Sequence, residues 1–255
     1  MRVCGFCNGP GVNQEHVWPD WLRKVILESR AAGGMKHFHA EIERGGETKK
    51  FKSPKLEMKV GMPCESCNHG WMSGLENQVK TFMTQMVYRG DKTLLDPERQ
   101  THLMRWILKT AMVYEFTSAA AERKYFSDAE RLAFKERFEI PQNLWIWVAR
   151  YDGVRPMHSV QHRAPKSSDS PPRIYSLTLS ANFLTVQVFA FRESEGDLGQ
   201  VARATKPERL LQLFPASPDW MSWPPPITID DEALDVLDTR FVKVLGGSVP
   251  RRVEI

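Results

Sequence analysis

The stretch CESCNHGWMSGLE, residues 64–76, decides the fold once it is set against CGFCNGPGVNQEHVWPDWL, residues 4–22. Each stretch opens with a Cys-x-x-Cys pair, Cys4/Cys7 and Cys64/Cys67, and together these are all 4 cysteines of the chain. One tight turn can present two thiolates to an ion, and two such turns complete a tetrahedral set. The pairs are therefore read as a structural zinc site. The competing readings are a chance pairing or redox chemistry, and the scarcity of Cys, with none left over, weighs against both. A zinc holding four thiolates has no open position, so its work is to staple two remote stretches together. Gly5, Gly9, Pro10 and Gly11 supply tight backbone around the first pair.

Such a staple would also join polar groups. Glu15-His16 follows the first pair and Asn68 directly follows the second. A carboxylate beside a His can divide labour: the acid takes a hard divalent cation and the imidazole takes a proton from water. Asn68 can offer a carbonyl oxygen to the same cation. A cation held only by Glu, Asn and water keeps positions open for a substrate phosphate, the arrangement expected of Mg²⁺. The plainer alternative makes Glu15-His16 an ordinary loop and Asn68 a helix N-cap.

Bulk composition narrows the class. A chain of 255 residues, 42% hydrophobic and 26% charged, has room for one large domain or a small one plus a larger one. A formal charge of +4 is compatible with a polyanionic partner without demanding one. No apolar run approaches the roughly 18 residues needed to span a membrane. The N-terminus shows no basic segment leading into an apolar core. The expected setting for unexported paired cysteines is the reducing cytoplasm.

The organisation reads as α+β. Residues 17–29 suit a short amphipathic helix, or an extended segment leading into one, and Gly33-Gly34 breaks it. Loose alternation over 35–60, with a Gly45-Gly46 turn, predicts two or three short hairpin strands. Residues 68–88 predict a helix with Trp71, Leu75, Val79, Phe82, Met83 and Met86 on one face, ended by Gly90-Asp91. Asp96-Pro97-Glu98 starts a helix to about residue 116, and Ser127-Asp128 a third that stops before Pro141. LWIWVARY, RIYSLTLSA and FLTVQVFAF predict strands, the last two joined by a short turn at Asn182. HRAPKSSDSPPR reads as a polar, Pro-rich loop, and WMSWPPP leads to a short helix near 230–239. The predicted division is a unit over 1–88, then an α+β unit over 89–255 with helices in 97–140, antiparallel strands in 144–192 and a Pro-rich C-terminal segment.

The order CGFC…EHVWP…CESCN resembles the HNH (His-Me finger) endonuclease family, specifically its members with a four-cysteine zinc. It is similar to a bacterial and phage subgroup with EHVWPxWL-type openings, and the likeness covers roughly residues 1–80. The resemblance implies a ββα-metal fold, with the metal-binding acid at Glu15, the general base at His16 and the helix-borne metal ligand at Asn68. It also implies Mg²⁺ or Mn²⁺ as the catalytic ion, structural Zn²⁺ on the cysteines, and DNA as the partner, with no membrane role. The activity it implies is hydrolysis of phosphodiester bonds to 5′-phosphate and 3′-hydroxyl ends. The family's middle Asn, which steadies the His-bearing loop, falls on Lys59 here. Bracing then passes to another group, Asn13 or a backbone contact. A nucleic-acid-binding protein that keeps the zinc scaffold without cleaving is the alternative.

Other residues carry two readings each. His69 is an extra ligand or, more simply, a helix residue turned about 100° away from Asn68. His37 and His39 share one strand face, at the surface rather than as a second metal site. Trp18 and Trp21 stack on bases or pack in the core. Glu76 and Asn77 are read as solvated. Lys36, Lys49, Lys50, Lys52, Lys55 and Lys59 make the hairpin region basic, with Lys59 and Lys55 as the candidate substrate-binding pair, or simply a solvated face.

Overall fold

The computed structural model describes residues 3–32, 38–44, 47–53, 58–117, 124–155, 157–165, 172–192 and 209–244. In chain order the first part runs β1 (Gln14–His16), α1 (Asp20–Ala32), β2 (Phe38–Arg44), β3 (Glu47–Ser53), β4 (Lys59–Gly61), α2 (Glu65–Cys67), a π-helical turn (Asn68–Met72) and α3 (Ser73–Tyr88). The rest runs β5 (Thr93–Leu95), α4 (Pro97–Tyr114), a 3-10 turn (Glu115–Thr117), α5 (Asp128–Arg137), β6 (Leu144–Arg150), β7 (Met157–Pro165), β8 (Pro172–Ala181), β9 (Leu184–Phe191), β10 (Leu211–Phe214), β11 (Met221–Trp223) and α6 (Asp231–Val244). The class is α+β with antiparallel strand pairing throughout the named strands.

Strand β1 pairs with β4, and the α1 segment and the β2–β3 hairpin are inserted between them. The hairpin matches the strands predicted over 35–60. Its third strand, β4, joins β1 instead. Predicted turns at Gly33-Gly34 and Gly45-Gly46 lie outside the described residues, as do Lys36, His37 and Lys55. His39 is on β2 and Lys49, Lys50 and Lys52 are on β3, for which backbone pairing alone is described.

The predicted helix at 68–88 is two helical segments meeting at a kink. Gly70 departs from helical geometry (φ −87°, ψ −110°), and a regular α-helix starts only at Ser73. Leu75, Val79, Phe82, Met83 and Met86 are buried from it, as the periodicity predicts. Gly90 ends it at φ +68°, a conformation glycine adopts without penalty; a Cβ there would also strike the Arg150 guanidinium, which donates to the Gly90 carbonyl. Helix α4 begins as predicted: Asp96 Oδ1 accepts from the Arg99 N–H at 2.7 Å, with Pro97 in the first turn. Almost every residue from Leu103 to Tyr114 is buried, because α4 is covered by α3 on one side and the main sheet on the other.

That sheet has the order β10-β6-β9-β8-β7. One face carries Ile146, Val148, Tyr175, Leu177, Leu179, Val186 and Val188 into the same core as α4, and the Tyr175 hydroxyl donates to the Ala111 carbonyl at 3.1 Å. The other face packs Trp145, Trp147, Phe189 and Phe191 with Leu234 and Leu237 of α6. Strand β7 departs from expectation, since the sequence predicts no element over its first half and a polar loop from His162. MHSVQHRAP is polar because it is an edge strand, hydrogen-bonded to β8 alone, and Pro165 sits where the register shifts at its end. The short strands β5, β10 and β11 were also unforeseen, since three or four residues carry too little periodicity.

The two parts are tied by side-chain grips. At the β8–β9 turn Asn182 takes the left-handed conformation (φ 52°) and donates to the Val87 carbonyl at 2.7 Å and to Ser29 Oγ at 2.8 Å. Ser127 and Glu130 form the capping box of α5, and Glu130 also receives both arms of Arg192 at 2.5 and 2.7 Å. Burial pushes the Glu130 carboxyl up, but the hydrogen bonds from Arg192 and Ser127 outweigh it and hold the group below the ordinary carboxylate range. Its stabilisation is therefore complete above about pH 4.3, the free-Glu value, and is lost as pH falls through the lowered native value. Glu130→Ala should lower stability by about 2 kcal/mol at pH 7. Urea midpoints should show that deficit shrinking toward zero in acid; a deficit that is constant with pH would mean the carboxylate charge contributes nothing.

Candidate functional site

The cysteine pairs converge because the β1–β4 ladder places their turns at the same end. The first turn is closed by Cys4 N–H to Gly9 O at 2.8 Å and Asn8 N–H to Cys4 O at 2.9 Å. It is stitched to the chain leaving β4 by Gly5 N–H to Met62 O at 3.0 Å and Asn13 N–H to Pro63 O at 2.7 Å. Gly5 allows this approach, since a Cβ there would lie 3.0 Å from both Met62 and Phe116. The Arg131 Nε of α5 donates to the Gly5 carbonyl at 2.7 Å, and Trp71 packs edge-on between Phe6 and Phe134.

The four Sγ atoms lie within 4.8 Å of one another, with Cys7 and Cys64 at 3.7 Å. A disulfide needs about 2.05 Å, so neither pair is oxidised. A tetrahedral zinc with bonds of about 2.3 Å spaces its sulfurs about 3.8 Å apart, close to what is observed. The cluster is therefore placed to bind a metal ion such as zinc. The Phe6 N–H points at Cys4 Sγ at 3.4 Å. Burial raises the Cys4 thiol, but the N–H groups of Cys64, Phe6 and Cys7 overcome it and bring it down to about 7. Cys67 is pushed well up by burial, with the charge of Cys4 adding to the rise against the Trp71 indole. Four thiols so crowded cannot all ionise without a cation among them.

The strand pairing then sets Glu15 opposite Val60 and His16 opposite Lys59. Alternation turns Glu15 inward, 7% exposed, and leaves His16 half-buried beside it. The Asn68 amide reaches the Glu15 carboxylate as a hydrogen-bond partner, and the His16 backbone N–H is a second. Asn68 is thus in the turn after Cys67, its own N–H bonded to Cys64 O at 3.0 Å, and is not an N-cap. Burial pushes the Glu15 carboxyl up; the positive charge of Lys109 pulls it down and the charge of Glu76 raises it again. His16 Nδ1 is 3.8 Å from Asp20 Oδ1, and Asp20 is held by Arg23 at 2.7 Å. The loop after His16 is braced by the backbone, Val17 N–H to Met58 O at 2.9 Å.

Two residues of this cluster were missed. Lys109 of α4, 1% exposed, places Nζ 3.2 Å from Glu76 Oε1 and 4.0 Å from Glu15 Oε1. Glu76 is thus a partly buried ion-pair partner, a correction to its reading as solvated; Asn77 is exposed as expected. The available signal was a lone Lys inside WILKTAMVY, where an apolar helix buried all round obliges any charge to find a partner.

The remaining candidates fall simply. Lys59 is exposed across from His16. His69 is exposed, 3.8 Å from Glu65, and turned away from the cluster. Trp18 is buried and Trp21 half-buried in the core. No helix among the described residues is long and apolar enough to cross a membrane. No protein-family model matches the sequence, and neither a curated protein nor a solved structure matches the chain.

The chemistry of the cysteine cluster predicts one tetrahedral ion per chain. Cobalt substitution should give the intense thiolate charge-transfer and d–d bands of a four-sulfur site. Cys64→Ser should weaken binding at least about 100-fold and lower the melting temperature. Unchanged cobalt spectra in that variant would show that the metal binds elsewhere.

Proposed function

We propose that this chain is a metal-dependent DNA endonuclease of the HNH type, its residues 1–88 forming the zinc-stapled nuclease unit. The single observation that carries the reading is the placing of Glu15, His16 and Asn68 on the β1–β4 ladder and the helical turn that follows it, beside a four-thiol cluster. The donor set fits a hard divalent cation: a carboxylate and an amide side by side, one buried and one half-buried, next to a half-buried His. When bound, Mg²⁺ or Mn²⁺ would supply charge stabilisation for a phosphodiester under attack. Glu15 and Asn68 would hold it.

The chain's own residues have separable tasks. His16 takes the proton from the attacking water, which requires a neutral ring. Asp20 Oδ1, 3.8 Å from Nδ1, favours by its charge the tautomer with hydrogen on that nitrogen, which makes the buried Nε2 the atom that would receive the proton. Lys59, across the ladder from His16, offers its ammonium to a backbone phosphate. Lys55, the other lysine of the candidate pair, lies outside the described residues. Cleavage would leave 5′-phosphate and 3′-hydroxyl ends.

A second reading, a zinc-stapled protein that binds nucleic acid without cutting it, is favoured by one observation. The Lys109 ammonium already sits 4.0 Å from Glu15, where a catalytic ion would feel its repulsion. The discriminating test is plasmid incubation with Mg²⁺ or Mn²⁺. The nuclease reading expects nicked or linear product, with His16→Ala slower by about 100-fold or more. Plasmid left equally intact by both proteins across metals and salt would reject it; a retained gel shift would then select the second reading.

A further inference from the structure

Lys109 and Glu76 have no task in the cleavage chemistry above, yet the Lys109 ammonium lies 4.0 Å from Glu15. The ammonium is on α4, far along the chain from the nuclease unit, and is buried against the Trp106 ring at 5.8 Å. It cannot reach a substrate phosphate from there without leaving its site. Its distances are unequal: 3.2 Å to Glu76 is a hydrogen bond, while 4.0 Å to Glu15 is not. Glu76 therefore holds the ammonium away from Glu15. Two carboxylates share one cation, so with both ionised the cluster keeps one uncompensated negative charge in a partly buried place.

From this arrangement we infer that Lys109 is a built-in competitor of the divalent cation at Glu15 and that Glu76 is the positioning residue that restrains it. This deepens the proposed function and rests on its assignment of Glu15 and Asn68 as cation ligands. The ammonium compensates one of the two carboxylates. By the same charge it weakens the ion's binding, since two cations at one carboxylate repel strongly where water is scarce. The device favours a loosely held ion, retained only when a further anion such as a backbone phosphate arrives to compensate both cations. Cation occupancy and nucleic-acid occupancy are thereby coupled.

Mn²⁺ titration followed by electron paramagnetic resonance reads this without any cleavage assay. Lys109→Met keeps the apolar stem and removes the charge, and should tighten Mn²⁺ binding by about tenfold or more. Glu76→Gln should weaken it by a similar factor, because the ammonium is then released toward Glu15. Glu15→Gln should lose the site in either background. Thermal melts establish that each variant is folded. If Lys109→Met proves unfolded, Glu76→Gln alone decides, and an unchanged Mn²⁺ affinity overturns the inference. A folded Lys109→Met that binds Mn²⁺ no better than wild type also overturns it, leaving an ion pair that serves packing only. Cleavage by wild type with no response in Lys109→Met would reject the inference and keep the nuclease. A tightened Mn²⁺ site in a protein that never cuts DNA would keep the inference and reject the nuclease.

Discussion

Four sulfurs within 4.8 Å of one another are the constraint on which the rest depends. The ladder they stabilise is very short: β1 and β4 are three residues each, and a two-stranded ribbon of that size has no stability of its own in water. The chain between these strands is long, so bringing them together costs substantial loop-closure entropy. A metal ion held across the two cysteine turns would offset that cost at the one place where it is concentrated. Everything chemical is then a matter of register. With β1 fixed against β4, Glu15 faces in and His16 is left at the rim; a slip of one residue would exchange them.

The later elements close around this frame through polar contacts more specific than apolar packing. Arg131 grips the Gly5 carbonyl, Asn182 grips the end of α3, and Lys109 enters between two carboxylates. One apolar core runs from Cys4 and Phe6 through α3 and α4 to Leu177 and Val188 of the sheet. Burial of that size is non-directional. The three grips supply the direction, because each donor must meet particular acceptors at fixed places.

Much of this was legible in the sequence, and the gaps share a cause. The cysteine turns, the helix starts at Asp96 and Ser127, and the Asn182 hairpin each declare themselves within a few residues, because caps and turns are local chemistry. The strands of the sheet centre were legible too, since β8 and β9 bury nearly every side chain and so read as apolar runs. The edge strand β7 was not, because an edge needs only half its side chains apolar. Pairings across long separations were hidden for a different reason. Nothing near Glu76 announces Lys109, and nothing near β5 announces β11, since neither partner's environment is written in its neighbours. The pairing of Glu15 with Asn68 could be argued only because the cysteines flanked both.

The position of Lys109 also bears on how such a unit could be passed between proteins. A fragment ending after α3 would carry all four cysteines, Glu15, His16 and Asn68, and so would look self-sufficient on paper. It would also carry two carboxylates stripped of their ammonium, and a helix α3 that had lost α4, one of the elements it packs against. The minimal transplantable piece therefore extends at least through α4, and through α5 if the Gly5 turn is to keep its Arg131 anchor. In recombination between genes, a crossover near residue 88 would separate a site from its own neutralising charge, whereas one beyond residue 137 would leave that charge in place.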